Sequence, residues 1–463
     1  MDIIIALLGL IFLIAVAYRG LSIVMFAPVA AMIPVLLMDP SHVPQVFSGV
    51  YMERMVVFVK NYFPVFMLGA IFGKLMELSG FAQTIIAAVI ARTGSRMSVA
   101  AIVLVSALLT YGGVSLFVVV FAVYPFAAEL FKQAGIPKRL IPACLALGAF
   151  SFTMDALPGT PQIQNIIPTT FFGTTAWAAP WLGVIGGVFI FVTGLVYLQW
   201  RVRKAGGEGY GTGHINEPAA PPEGPPVPLT LALAPLFVVV VLNKLFSLAI
   251  PGLFGPTAVT TADKFPGLAT QVSLKTDTVA AIWSLEAALL VAIVLIVATR
   301  FRALRPTMGE GTKLAVSGAM LAAMNTASEY GFGAVIASLP GFLAVRDAIQ
   351  VPNPLVNSAI VTNVLAGITG SASGGMSIAL AAMSGHFVET ANAAGIPLEV
   401  LHRVTAMASG GMDTLPHNGA VITCLAVTGL THRQSYGDIF AVMLLKIAAC
   451  FLVIAVYSLT GIV

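Results

Sequence analysis

Charge is what this chain has least of. Only 9% of its 463 residues are Asp, Glu, Lys or Arg, where a soluble domain carries roughly 25%. With 58% apolar residues and a mean hydropathy of +0.97, that scarcity excludes a water-soluble globular protein and leaves an all-α polytopic membrane protein. Cysteine is also rare. Cys144, Cys424 and Cys450 lie in apolar stretches, with no CxxC or Cys/His cluster, which argues against a disulfide scaffold and a structural zinc site. The net charge of +4 is too small to cover a nucleic acid. A nucleotide loop, a metal-ligand cluster and a soluble catalytic domain are all missing, so neither an enzyme nor a cofactor or metal site is expected. Ile3 to Tyr18 lacks the basic n-region and Ala-x-Ala site of a signal peptide, and reads as a retained first span.

What is present is a series of apolar runs. A spanning helix needs about 20 apolar residues. Runs near 3–18, 21–38, 55–78, 98–111, 114–131, 139–154, 180–200, 229–250, 277–299, 312–328, 355–369, 375–392, 398–411 and 438–461 read as spans. Shorter runs near 81–91, 160–172, 332–345 and 418–430 read as hairpin arms or half-helices. One long polar stretch, 201–228, opens on Arg201, Arg203 and Lys204 and continues in glycine and proline. It cannot bury a core and reads as a linker between a first membrane repeat, 1–200, and a second, 229–463.

Basic loops set the orientation. Arg201, Arg203 and Lys204, and again Arg300, Arg302 and Arg305, belong on the cytoplasmic side, with two spans between them. Arg19 after the first span does too, which puts the N-terminus in the periplasm of a bacterial inner membrane. The two repeats then begin on opposite sides and carry inverted topology.

The repeat is legible in three elements. Gly112-Gly113-Val114-Ser115 matches Gly374-Gly375-Met376-Ser377, Gly135-Ile136-Pro137 matches Gly395-Ile396-Pro397, and Met154-Asp155-Ala156-Leu157-Pro158 matches Met412-Asp413-Thr414-Leu415-Pro416. In lipid every backbone polar group needs a partner, so Gly-Gly-x-Ser in mid-membrane is either a close helix contact or a turn beside a wet cavity. In the second case the following helix start offers N–H groups and a dipole to a carboxylate. The candidate substrate residues there are Gly112, Gly113, Ser115, Ser371, Ser373, Gly374, Gly375 and Ser377.

Pro158 and Pro416 must break their helices. Polar, turn-prone residues follow: Gly159, Thr160, Gln162 and Asn165 in the first copy, His417 and Asn418 in the second. Asp155 and Asp413 stand just before the breaks. Each either caps the next half-helix or carries a proton or cation. His417 is the imidazole of the pair and suits proton coupling near neutral pH. His386 and His402 sit near segment ends. Lys74 lies three residues before Glu77, which reads as a helix-surface ion pair; Glu329 has no such neighbour and is the better proton site. Phe117, Phe152, Met154, Met376 and Met412 are the bulky residues able to set pocket size.

Tyr111-Gly-Gly-Val-Ser115, Ala156-Leu-Pro-Gly-Thr-Pro-Gln-Ile-Gln-Asn165 and above all Asp413-Thr-Leu-Pro-His-Asn-Gly-Ala420 resemble the gluconate permease (GntP) family of proton symporters, within the ion transporter superfamily. The resemblance covers most of the chain, with the linker least constrained. It implies proton-driven import of gluconate, 3-hydroxybutyrate or a related hydroxy-monocarboxylate. It also implies a homodimer, with a scaffold domain and a transport domain moving as an elevator. Two re-entrant hairpins would turn at Gly112–Ser115 and Ser371–Ser377, and two unwound helices would lie at Asp155–Asn165 and Asp413–Asn418. The Ser-Asn-Thr signature of sodium-coupled dicarboxylate relatives is missing at the hairpin turns. Sodium coupling through carbonyls at the broken helices, or a pore built from paired re-entrant loops, are the alternatives.

Overall fold

The computed structural model describes residues 2–463 except 20, 94–96, 213–216, 218–226, 261–263, 266, 268–271, 343–350 and 417. It is 81% helix and 2% strand, as expected where no water can satisfy an exposed backbone. The protein is a polytopic membrane protein. Among the described residues, five helices are long and apolar enough to cross a membrane: Pro40–Leu78, Pro180–Lys204, Leu229–Phe254, Thr278–Leu304 and His432–Thr460.

Several runs expected as spans do not cross alone. Ser98–Tyr111 has 14 residues, about 21 Å at 1.5 Å per residue, against a core of about 30 Å. It is one arm of a hairpin whose other arm is Leu116–Ala134. Pro354–Thr369 and Ala372–Ala393 form the second hairpin. The run 139–154 divides into Ile141–Ala149 and Phe152–Asp155 around non-helical Ser151 (φ −132°, ψ −131°), and 398–411 stops at Ser409. Conversely, 312–328 and 332–345 are not separate: one 31-residue helix, Met308–Ser338, carries through the gap. Gly331 and Gly333 do not break it because they are contact points. A Cβ on Gly331 would lie 2.8 Å from the Tyr51 carbonyl oxygen, and one on Gly333 2.8 Å from the Ile378 Cα.

Each half repeats one order: a long helix, a hairpin, a broken segment and a closing helix. In the first half these are Glu53–Leu78, the first hairpin, Ile141–Phe172 with its breaks, and Pro180–Lys204. In the second they are Met308–Ser338, the second hairpin, Leu398–Ser409 with Gly419–Thr428, and His432–Thr460. A helix pair precedes each half: Asp2–Tyr18 with Ile23–Met38, and Leu229–Phe254 with Thr276–Leu304. Between the latter two, Thr257–Thr260 and Val272–Lys275 pair antiparallel.

Equivalent helices run in opposite directions. Gly311, near the start of the second long helix, packs on Leu78 at the end of the first, while Gly331 packs on Tyr51 near its beginning. Arg201, in the last turn of one closing helix, bonds Asp438 near the start of the other, Nε to Oδ1 2.5 Å. The inverted repeat is therefore visible in the contacts themselves.

Glu217, in the linker, is paired with the first membrane repeat. Its carboxylate meets Lys132 at 2.6 Å and fully buried Lys138 at 2.8 Å. Burial pushes the Glu217 carboxyl upward, but the two lysines outweigh it and hold it near pH 2. A carboxyl depressed by folding stabilises above its unfolded value, roughly 4.3, and loses that contribution as pH falls toward about 2. Limited proteolysis should find the linker protected at neutral pH. Glu217→Gln should cut faster there, and the difference from the native chain should shrink as pH falls below about 4.

Candidate functional site

Two turns and two breaks converge at the centre. In the first hairpin the helix ends at Tyr111, and Gly113 turns the chain at φ +102°, a left-handed geometry that favours glycine. Gly112 accepts the Leu236 side chain, whose Cδ2 would lie 2.3 Å from an added Cβ. In the second hairpin Gly370 (φ +63°) ends the first arm, and Ser371 starts the next by accepting the Gly374 N–H at 3.0 Å. Gly375 lets the arms close to a distance no Cβ would permit, 2.2 Å from the Ala366 backbone.

Each broken segment is tied to the hairpin turn of its own half by one amide. Gln162 Nε2 donates to the Thr110 carbonyl at 2.7 Å, and Asn418 Nδ2 donates to the Gly370 carbonyl at 2.7 Å. The halves differ in how their helix starts are finished. Asn418 Oδ1 accepts from the N–H groups of Ala420 (2.6 Å) and Val421 (3.0 Å). In the first half no side chain caps the helix starting at Leu116 or the one starting at Ile163. The second half caps its helix starts at Ser371 and Asn418; the first has no side-chain cap at Ser115 or Gln162.

Asn418→Ala removes three hydrogen bonds at once and should cost about 2 kcal/mol or more, since cap loss alone is worth about 1. A lower melting temperature, with no such drop for Ser373→Ala, checks this.

A cavity of roughly 1010 Å³ lies where these pieces meet. Its wall includes Gly113, Ser115 and Gln162 from the first half, and Thr326, Glu329, Ser371, Ser373, Asp413 and Asn418 from the second. Met154 also reaches it, and so do Lys74 and Glu77, paired at 2.8 Å. The wall so described does not include Gly112, Gly159, Thr160, Asn165, Gly374, Gly375, Ser377 or Asp155. Thr160 Oγ1 donates to the Thr153 carbonyl (2.7 Å), and Asn165 Nδ2 to the carbonyls of Thr160 (3.0 Å) and Ala176 (2.8 Å). These groups stabilise the break itself. Gly159, at φ +77°, packs on Trp177. Ser377 is fully buried and its Oγ has no hydrogen-bond partner. His417 lies outside the described residues.

Glu329, Asp413 and Asp155 are carboxylates held deep in the protein. Glu329 is 2% exposed, and its Oε2 has no hydrogen-bond partner. An added Cβ on Gly374 would fall 1.7 Å from that oxygen, so Gly374 is the space the carboxylate occupies. Asp413 is bound by Lys446, Nζ to Oδ1 2.7 Å, and Lys446 also donates to the Phe150 carbonyl at 2.7 Å. Asp155 lies against Gly410, whose added Cβ would meet Oδ2 at 1.7 Å. Two residues absent from the sequence-based candidates are central here: Lys446, and Arg403, which is fully buried. Lys446 is the only Lys or Arg in the run 438–461 and Arg403 the only one in 398–411, where His402 precedes it; a cation inside such a run is a functional signal by default.

Inverted repeats, paired hairpins and helices broken around a central cavity define a membrane transporter. The chain is 53% identical over 475 residues to the uncharacterized transporter YxjC of Bacillus subtilis (strain 168), spanning 100% of both proteins. It belongs to the family of that transporter. The fold is shared with the YdaH transporter of Alcanivorax borkumensis, whose crystal structure has an unusual topology: TM-score 0.56, 14% identity, 92% of this chain and 90% of that one. No family model matches the sequence.

Proposed function

We propose that this transporter imports a small hydroxy-monocarboxylate, gluconate-like or 3-hydroxybutyrate-like, across a bacterial inner membrane by proton symport. The observation that carries this is the asymmetry of the cavity: open helix N-termini in the first half, a partnerless Glu329 oxygen in the second. The anion sits on the N–H groups starting at Leu116 and Ile163, with Ser115 and Ser373 bonding its oxygens. A buried carboxylate without cation or donor is costly to keep ionised, so Glu329 is the group that takes up the proton accompanying the anion. Asp413 is already neutralised by Lys446 and is the weaker candidate. The gluconate-permease motifs named above support the substrate class and the proton, and with them a homodimer whose hairpins and broken segments move as one body.

Thermal-shift screening of the purified protein against short hydroxy acids, sugar acids and dicarboxylates at two pH values tests it. Hydroxy-monocarboxylates should raise the melting temperature, more at the lower pH. A response confined to dicarboxylates, or none to any acid, contradicts it.

A further inference from the structure

The closing helix His432–Thr460 carries one lysine in its apolar middle, Lys446, 2% exposed. Its two acceptors both come from helix breaks. Phe150 ends Ile141–Ala149, where the first broken segment unwinds. Asp413 lies in the gap between Leu398–Ser409 and Gly419–Thr428, where the second unwinds. Asp155 is a neighbour: the position of an added Cβ on Gly410 is 1.7 Å from Asp155 Oδ2 and 3.3 Å from Lys446 Cε. A carboxylate and a freed carbonyl, drawn from the unwound centres of both halves, thus hold one ammonium, with a second carboxylate close by. An anionic, all-oxygen donor set of this kind suits a hard, largely dehydrated cation. Here the chain supplies the cation itself.

We propose that Lys446 is a built-in cation: its ammonium fills a monovalent-cation site formed by the Asp413 carboxylate and the Phe150 carbonyl, with Asp155 alongside, and so makes transport independent of sodium. The charge balance supports this. Burying Asp413 without compensation is prohibitive, and the lysine neutralises it while joining the two halves at their breaks. A sodium ion carried in from outside would do the same only when bound, so the tethered ammonium removes one ligand from the transport cycle. Truncating the lysine leaves the same oxygens around a hole several methylenes in size, which a small cation can enter.

The test uses purified full-length protein and the variants Lys446→Ala and Lys446→Ser, compared in sodium chloride and choline chloride at equal ionic strength. The wild type should melt at the same temperature in both salts. Each variant should melt lower than the wild type in choline and recover several degrees in sodium. Variants that respond to sodium no more than the wild type overturn the proposal. A second arm needs no variant: wild-type uptake should be unchanged when choline replaces sodium, and an uptake that requires sodium overturns the proposal as well. Only this uptake arm rests on the function proposed above. Failure of the wild type to move any organic acid in either salt contradicts that function, while the melting comparison still decides the role of Lys446.

Discussion

Glu329→Gln is expected to abolish accumulation driven by a pH gradient while sparing exchange of labelled for unlabelled substrate. With one proton per anion, each pH unit supports roughly tenfold accumulation; in the variant the ratio should fall to about one. Glutamine keeps the shape of the side chain but cannot gain and lose the proton. Gly374→Ala is the companion variant, because its methyl group would occupy the space of the Glu329 carboxylate, 1.7 Å from Oε2. It should lose gradient-driven uptake to a similar degree without touching an ionisable group. Gradient-driven uptake by Glu329→Gln at the native level would remove Glu329 from the coupling mechanism.

The second large effect is structural. Arg403, on the second broken segment, reaches across to the first and satisfies what its break exposes. Nε and Nη2 donate to the Ala178 carbonyl (3.1 and 2.8 Å), Nη1 to the Asp155 carbonyl (3.0 Å) and Asn165 Oδ1 (2.9 Å), and Nη2 also to the Ala176 carbonyl (3.4 Å). Arg403→Ala leaves four buried oxygens without this donor and should cost about 3–5 kcal/mol. Lysine lacks the planar fork and should restore little of it. Detergent-solubilised Arg403→Ala should melt about 3–5 degrees below the wild type, with Arg403→Lys close to it. A melting temperature within about one degree of native would mean a cost near 1 kcal/mol at most and would refute this role.

Much of the architecture was legible because lipid permits few solutions. The Asp-x-Leu-Pro copies marked both breaks, and Gly112–Ser115 marked the first hairpin turn. The matching 374–377, however, lies inside the arm Ala372–Ala393, just past the second turn at Gly370 and Ser371, where its glycines serve close packing. The limits of the helices were less legible. Runs such as 98–111 and 355–369 are as apolar as true spans, and nothing in their composition shows that they stop halfway. Gly331 and Gly333 look like breakers, yet serve as contacts with Tyr51 and Ile378, because a neighbour's approach is a tertiary event. The same holds at the site. Thr160 and Asn165 are polar residues in the right motif, but their bonds are spent inside the break. Lys446 is distant in sequence from Asp413 and Asp155 and is brought to them only by the packing of the closing helix. Glu77 and Glu329 differ for the reason seen in the sequence, since Lys74 pairs with the first.

The central claim, proton-coupled import of a small hydroxy-monocarboxylate, is tested most directly in proteoliposomes. Purified protein is reconstituted in sodium-free medium, and uptake of labelled gluconate and 3-hydroxybutyrate is followed under an inside-alkaline pH gradient. Saturable accumulation above the external concentration, collapsing on addition of a protonophore, is the predicted result. Flux that never exceeds equilibration and does not saturate, or accumulation that appears only when sodium is added, would contradict it.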